Sequence, residues 1–98
     1  MDYFEKLITG NSVHRVTEDD GITYGVRVLG RGENMFFQKG AMGLVCLIDI
    51  QSCVIERESI KEWHDGTKIR EDERELLLPE IVKLFERFYC QGKRAVVK

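Results

Sequence analysis

The sequence is poor in the residues from which several kinds of site are built. It has one proline, two histidines and three cysteines in 98 residues, and no Cys-x-x-Cys spacing. A metal site needs three or four ligands that converge at short, regular spacing, so we predict neither a metal nor a cofactor. No serine or cysteine stands in a nucleophile motif. We therefore predict no catalytic residues and no enzyme activity.

Positive charge and long apolar runs are also in short supply. Fifteen basic residues against 17 acidic ones give a net charge of −2, which provides no broad basic surface for a nucleic-acid backbone. No apolar run approaches the roughly 20 residues that a membrane-spanning helix needs. We expect neither nucleic acid nor a membrane as a partner. Acidic Asp2 and Glu5 stand where a secretory signal would carry basic residues, so we expect a cytoplasmic chain.

The cysteines form an odd set of three. In a reducing cytosol we expect Cys46, Cys53 and Cys90 to remain free thiols, which pack as small hydrophobic side chains. Cys46 and Cys53 could face each other across a hairpin, but the reducing compartment disfavours their oxidation. The sequence therefore predicts no disulfide.

The first two thirds of the chain contain short apolar segments separated by glycine. Their spacing is typical of an antiparallel meander. The candidate strands are Phe4–Ile8, Val13–Thr17, Ile22–Leu29, Met35–Gln38, Leu44–Ile50 and Cys53–Arg57. Between the second and third of these, Glu18-Asp19-Asp20-Gly21 has the composition of a tight turn, which predicts a hairpin.

Beyond Glu71 the apolar period changes to that of a helix. Six apolar residues recur at steps of three and four, namely Leu77, Leu78, Ile81, Leu84, Phe85 and Phe88. This stripe predicts a helix over about residues 71–91 that packs on the sheet. Gln91-Gly92 would end it in a left-handed turn. Pro79 either kinks this helix or separates two shorter ones, and Ala95-Val96-Val97 forms a final short strand or an ordered tail.

These patterns together predict one α+β domain over residues 1–98. We expect an antiparallel β-meander of about five or six short strands packed against a C-terminal α-helix. Residues 1–58 form the β-rich part, and a turn that carries Trp63 spans residues 59–70 and leads into the helix.

Three side chains in this turn invite a functional interpretation. His64 beside Asp65 could hold a general base, but no nucleophile is positioned to use it. Trp63 could be a core aromatic or an exposed interface anchor, and the buried or half-buried role is favoured. The acidic run Glu71-Asp72-Glu73 suits the first turn of a helix, where the helix dipole stabilises negative charge.

The segment from residue 59 to residue 97 combines several features in a fixed order. They are Ser59-Ile60-Lys61-Glu62-Trp63, a short turn at His64–Lys68, Ile69 before Glu71-Asp72-Glu73-Arg74, the helix, and Gly92 before Ala95-Val96-Val97. In these features the segment resembles the carboxyl-terminal half of the immunity protein 74 family of bacterial polymorphic-toxin systems.

The resemblance implies an immunity protein, which binds and neutralises a cognate, contact-delivered or secreted toxin in the cytosol by occlusion, without catalysis. The expected toxin-binding residues are Trp63, Asp65, Glu71, Asp72 and Glu73, because this acidic surface would complement a basic toxin. We expect a monomer or a weak dimer. Two other classes stay open: a small ligand-binding domain, and a structural adaptor that acts through an exposed sheet edge.

Overall fold

The computed structural model of the protein describes residues 3–98, so Asp2, on which the predicted cytoplasmic location partly rests, lies outside the described residues. The described chain forms two α-helices, six strands and one 3-10 turn. In chain order these are α1 (Tyr3–Thr9), β1 (His14–Thr17), β2 (Thr23–Leu29), β3 (Asn34–Lys39), β4 (Met42–Asp49), β5 (Val54–Ile55), the 3-10 turn (Arg57–Ser59), α2 (Glu71–Tyr89) and β6 (Val96–Val97).

The strands form one sheet in the order β1-β2-β3-β4-β5-β6. Each of the first five pairs with its neighbour in antiparallel fashion, as a meander does, and β6 then pairs parallel to β5. The predicted α+β class, a mostly antiparallel meander with a C-terminal helix, is confirmed. The tail after Gly92 forms a strand, which was one of its two predicted states.

The predicted hairpin between β1 and β2 is present, and its turn residues explain it. Gly21 has a φ of 79°, which a residue with a side chain adopts only under strain. Its N–H donates to the Glu18 carbonyl at 2.9 Å. The Asp20 carboxylate accepts the Ile22 N–H at 2.8 Å, so the side chain completes an Asx turn.

Helix α2 covers one face of the sheet. Five residues of its apolar stripe are buried in the main core, namely Leu77, Leu78, Ile81, Leu84 and Phe85. The helix runs through Pro79 as a single element and ends at Tyr89, two residues earlier than predicted. Gln91 and Gly92 follow with φ values of 51° and 89°, so the predicted left-handed stop is confirmed.

The prediction of a strand at Phe4–Ile8 is wrong, because this segment lies within helix α1. Leu7 is buried on the sheet face opposite α2, where it joins Val13 and Phe36 in a second, smaller core cluster. Spacings of three and four residues place Phe4, Leu7 and Ile8 on one helical side. Gly43 makes room for this layer, since a Cβ there would lie 2.6 Å from Cε1 of Phe36.

The prediction of three free thiols is wrong for two of them. Cys53 and Cys90 form a disulfide with a Cα–Cα distance of 5.9 Å, and both side chains are buried. The bond joins the turn before β5 to the residue that caps the carboxyl end of α2. Cys46 is a free, buried thiol as predicted, and burial raises its pKa to about 12.

Candidate functional site

The turn that carries Trp63 is a short hairpin. The Trp63 N–H donates to the Thr67 carbonyl at 2.9 Å, and the Ile69 N–H donates to the Lys61 carbonyl at 3.0 Å. The Trp63 side chain is only 6% exposed and belongs to the main core. The buried interpretation of Trp63 is therefore confirmed, and the interpretation as an exposed anchor is not.

Asp65 lies at the exposed tip of this hairpin. Its Oδ1 accepts the Thr67 N–H at 2.9 Å. Hydrogen bonds from the Thr67 backbone and side chain lower the pKa of Asp65, because they stabilise the ionised form. The tip therefore presents a fixed negative charge.

The acidic run forms the first turn of α2, as predicted. Asp72 is paired with Arg70 at 3.5 Å, whereas Glu71 and Glu73 have no ion-pair partner within residues 3–98. Glu71 is exposed and Glu73 is half-buried. The Arg70 side chain does not cap the helix, so the negative charge of the first turn is the main side-chain complement to the helix dipole.

Arginines interrupt this acidic surface, which sequence reasoning did not foresee. Arg74, the fourth residue of α2, is 91% buried, and its Nη1 lies 3.5 Å from the Glu58 carboxylate. Arg57 pairs with Glu75, the next residue of the helix. The surface is therefore a mixed one, in which few carboxylates are free to meet a partner.

The structure does not merge the predicted site residues into a single cluster. The hairpin tip at Asp65 and the start of α2 at Glu71 stand at opposite ends of the second hairpin arm. From Thr67 to Arg70 this arm covers roughly 10 Å of extended chain. A partner that contacts both acidic spots must span the arm between them.

A groove beside the hairpin, which the sequence did not reveal, is the second feature of this surface. It consists of two adjoining cavities of about 210 and 620 Å³ that share Val45 of β4. We call it the β4 groove. Its lining includes Val45, Leu47, Ser59, Lys61 and His64.

The two histidines lie in separate clusters. His14 stacks on Phe88 of α2 with ring centroids 4.7 Å apart, and the His64 ring lies 5.5 Å from that of Phe4 in α1. His64 Nδ1 accepts the Gly43 N–H at 3.1 Å, which commits that ring nitrogen to the backbone of β4. Within residues 3–98, no group of His, Cys, Asp and Glu side chains is arranged to hold a metal ion.

A cluster of titratable side chains joins the β1–β2 turn to α2. Lys83 forms an ion pair with Glu18, and its Nζ lies 3.8 Å from Oε2 of Glu80. Burial raises the pKa of Glu80, and the nearby Glu18 carboxyl group raises it further. The Lys83 ammonium lowers the pKa of Glu18. Of the two carboxyl groups, Glu80 therefore ionises less readily than Glu18.

Replacing Glu80 with glutamine should stabilise the protein at neutral pH. The pKa of Glu80 is higher in the folded protein than its ordinary value of 4.5, so the protonated side chain stabilises the fold below pH 4.5. This stabilisation is lost as the pH rises through the pKa of Glu80 in the folded protein. An amide carries no charge at any pH, so the cost of burying an ionised side chain at position 80 is removed. We expect a higher melting temperature for Glu80→Gln than for wild type at pH 7, and no gain at pH 4. Glu33→Gln, at an exposed turn, is the control, and an equal gain at both pH values would contradict the raised pKa of Glu80 as the cause.

Comparison with known protein families, curated proteins and solved structures finds no match. In the described part of the chain, neither helix has the length and apolar character to cross a bilayer.

Proposed function

We propose that this chain is an immunity protein that binds a cognate bacterial toxin and neutralises it by occlusion. The resemblance of residues 59–97 supports this function. That segment comprises the hairpin, α2 and β6, which are neighbours in one half of the molecule. A toxin held there would lose access to its target without any reaction on the part of this chain.

The observation that carries the proposal is the exposed negative charge on this half. Asp65 at the hairpin tip and Glu71 and Glu73 at the start of α2 keep carboxylates that no basic side chain of residues 3–98 pairs with. Such charge speeds the approach of a basic partner and selects against acidic ones. A stable interface would bury about 1,600 Å² in total, enough to cover both spots and the arm between them.

Neutralisation should be tested with the carboxyl-terminal module of the protein encoded directly upstream of this gene. The module is expressed in a bacterial host with and without this chain, and growth is measured. We expect growth only when both are present, together with a stable complex of the two purified proteins. A module that is toxic but is neither bound nor neutralised would overturn the proposed function.

The acidic surface should control the rate of association. Glu71→Lys/Glu73→Lys should lower the association rate constant for the toxin module by roughly tenfold at low salt, and by less at high salt, because salt screens the attraction. Asp19→Lys/Glu33→Lys is the matched control, since it changes the net charge equally at exposed sites elsewhere. Equal slowing by both pairs would mean that net charge, and not this surface, guides the encounter.

We place the encounter in the cytoplasm, as the resemblance implies, although the disulfide favours an oxidising compartment. The two compartments can be distinguished by alkylating free thiols in intact cells, completing the alkylation after denaturation, and counting the alkylated cysteines. An oxidised protein has one alkylated cysteine, Cys46, whereas a reduced cytoplasmic protein has three. A single alkylated cysteine would move the proposed site of action out of the cytoplasm.

A structural adaptor that acts through a sheet edge is the second candidate function. β1 lies at one edge of the sheet with only β2 as a neighbour, so it could pair with a strand of another chain. Sedimentation of the protein alone tests this alternative. Self-association that is lost when Thr17, whose N–H faces the outer side of β1, is replaced by proline would support it.

A further inference from the structure

From Gly43 to Leu47, no strand pairs with the edge of β4 that faces away from β3 in the described chain. On this side the Gly43 carbonyl accepts the His64 N–H at 2.7 Å, and the Gly43 N–H donates to the His64 ring. At the other end, the Leu47 N–H donates to the Ser59 hydroxyl at 2.8 Å. A ring nitrogen and a hydroxyl oxygen thus replace the two backbone carbonyls that a neighbouring strand would offer to the N–H groups of Gly43 and Leu47.

Val45 lies midway between these two positions. Backbone groups of alternate residues in a strand point to the same side, so the N–H and C=O of Val45 face outward like those of Gly43 and Leu47. No group within residues 3–98 bonds to them on that side. The chain opposite, between Ser59 and His64, leaves the edge because Ile60 and Trp63 turn into the core.

The β4 groove lies along this gap and has the character of a binding surface. Leu47 is 50% exposed on its floor, which is unusual for a leucine in the middle of a sheet. From Gly43 to Leu47 the edge is about 13 Å long, the length of four or five extended residues. Three carboxylates and one ammonium line the groove, namely Glu56, Glu58, Glu62 and Lys61. Two of the carboxylates are already in ion pairs, Glu58 with Arg74 and Glu62 with Lys68.

We propose that the β4 groove holds an extended segment of the toxin, an inference that rests on the proposed function. One residue of this segment bonds to Val45 through its own N–H and C=O, as in an antiparallel ladder, and a neighbouring apolar side chain covers Leu47. The Glu56 carboxylate at the groove has no ion-pair partner within residues 3–98, so it favours a segment that also carries a lysine or arginine. A strand-like segment fits because the unpaired donor and acceptor belong to one residue and have the spacing of a β-ladder.

This docking site adjoins the acidic surface described above. Glu62, Trp63 and His64 of the hairpin form one wall of the groove, and Asp65 follows directly at the tip. The two features have different tasks. The exposed carboxylates guide a basic partner toward this side of the molecule, and the groove then binds a segment of that partner through backbone and apolar contacts.

The toxin module and amide hydrogen exchange provide the test. In the free protein we expect the Val45 amide to exchange faster than those of Leu44 and Cys46, whose backbone groups face β3. In the complex, exchange at Val45 should slow by about tenfold or more. Leu47→Glu should raise the dissociation constant roughly tenfold, the effect of losing one central apolar contact.

Leu76→Glu is the matched control, since Leu76 is an exposed leucine on α2 and lies outside the groove. If the module binds wild type but Leu47→Glu binds as Leu76→Glu does, and Val45 is not protected, the groove assignment is wrong while the proposed function stands. If the wild-type protein does not bind the module, both the groove assignment and the proposed function are wrong. A dimer of this chain that Leu47→Glu dissociates would assign the groove to a second copy and overturn docking of the toxin.

Discussion

Removing the cross-link between Cys53 and Cys90 is expected to lower the free energy of unfolding by about 4 kcal/mol, the value that chain entropy assigns to a loop of this length. The two cysteines are 37 residues apart, so the bond restricts a large part of the unfolded chain. A domain of this size is stable by roughly 5–15 kcal/mol, and the loss is therefore a major share of its stability. Urea unfolding with and without a phosphine reductant measures it.

The position of the disulfide in the folded protein is a second reason to expect a large loss of stability on reduction. Cys53 has a φ of 56°, a conformation that is uncommon for a residue with a side chain. Its carbonyl accepts the Val96 N–H at 2.8 Å, so the same residue also anchors β6. Reduction should consequently loosen β6 and the end of α2 before the rest of the fold, which amide exchange at Val96 and Lys98 can detect.

Cys53→Ala/Cys90→Ala should reproduce the effect of the reductant, and the reductant should then have no further effect. Cys46→Ala serves as the control, because it removes a buried thiol without removing a cross-link. The raised pKa of Cys46 keeps its thiol protonated at neutral pH, so it should not exchange with the disulfide. Equal unfolding midpoints for the oxidised and reduced proteins would contradict the prediction.

The sequence predicted α2 and the strands that bury one regular face, because these patterns are local. The stripe from Leu77 to Phe85 has helical spacing over several turns, and the turn at Glu18–Gly21 contains its own Asx and glycine signals. The disulfide could not be predicted in the same way. It depends on the closeness of Cys53 and Cys90, which only the packing of α2 against β5 produces.

The candidate site also has one part that local sequence patterns predict and another part that depends on long-range packing. The exposure of Asp65 and Glu71 follows from a turn and a helix start, which composition reveals. The β4 groove depends on His64 and Ser59, which replace a strand partner from positions far along the chain. The strand predicted at Phe4–Ile8 is wrong for a related reason, since a short apolar run fits a strand or a helix until a residue outside the run decides.

For helix α1 that residue is Arg15, and replacing it should have the second large effect on stability. Its guanidinium donates four hydrogen bonds, to the carbonyls of Leu7, Ile8 and Gly10 and to the side chain of Gln38, at 2.6–3.0 Å. The three carbonyls belong to the carboxyl end of α1, which is only seven residues long. A helix so short is unstable on its own, so the cation that satisfies its last carbonyls holds it on the sheet.

Arg15→Met retains most of the aliphatic stem and removes all four donors. We expect it to cost about 3 kcal/mol, since hydrogen bonds to a charged group contribute more than neutral ones and the buried Gln38 loses a partner. Amides of Phe4–Ile8 should exchange rapidly, and Phe36 should become accessible to a hydrophobic dye. Arg27→Met is the control, because Arg27 is half-buried as Arg15 is but donates one side-chain hydrogen bond, to Ser12. If the two variants unfold at the same urea concentration, α1 is held by the packing of Leu7 alone and not by the guanidinium.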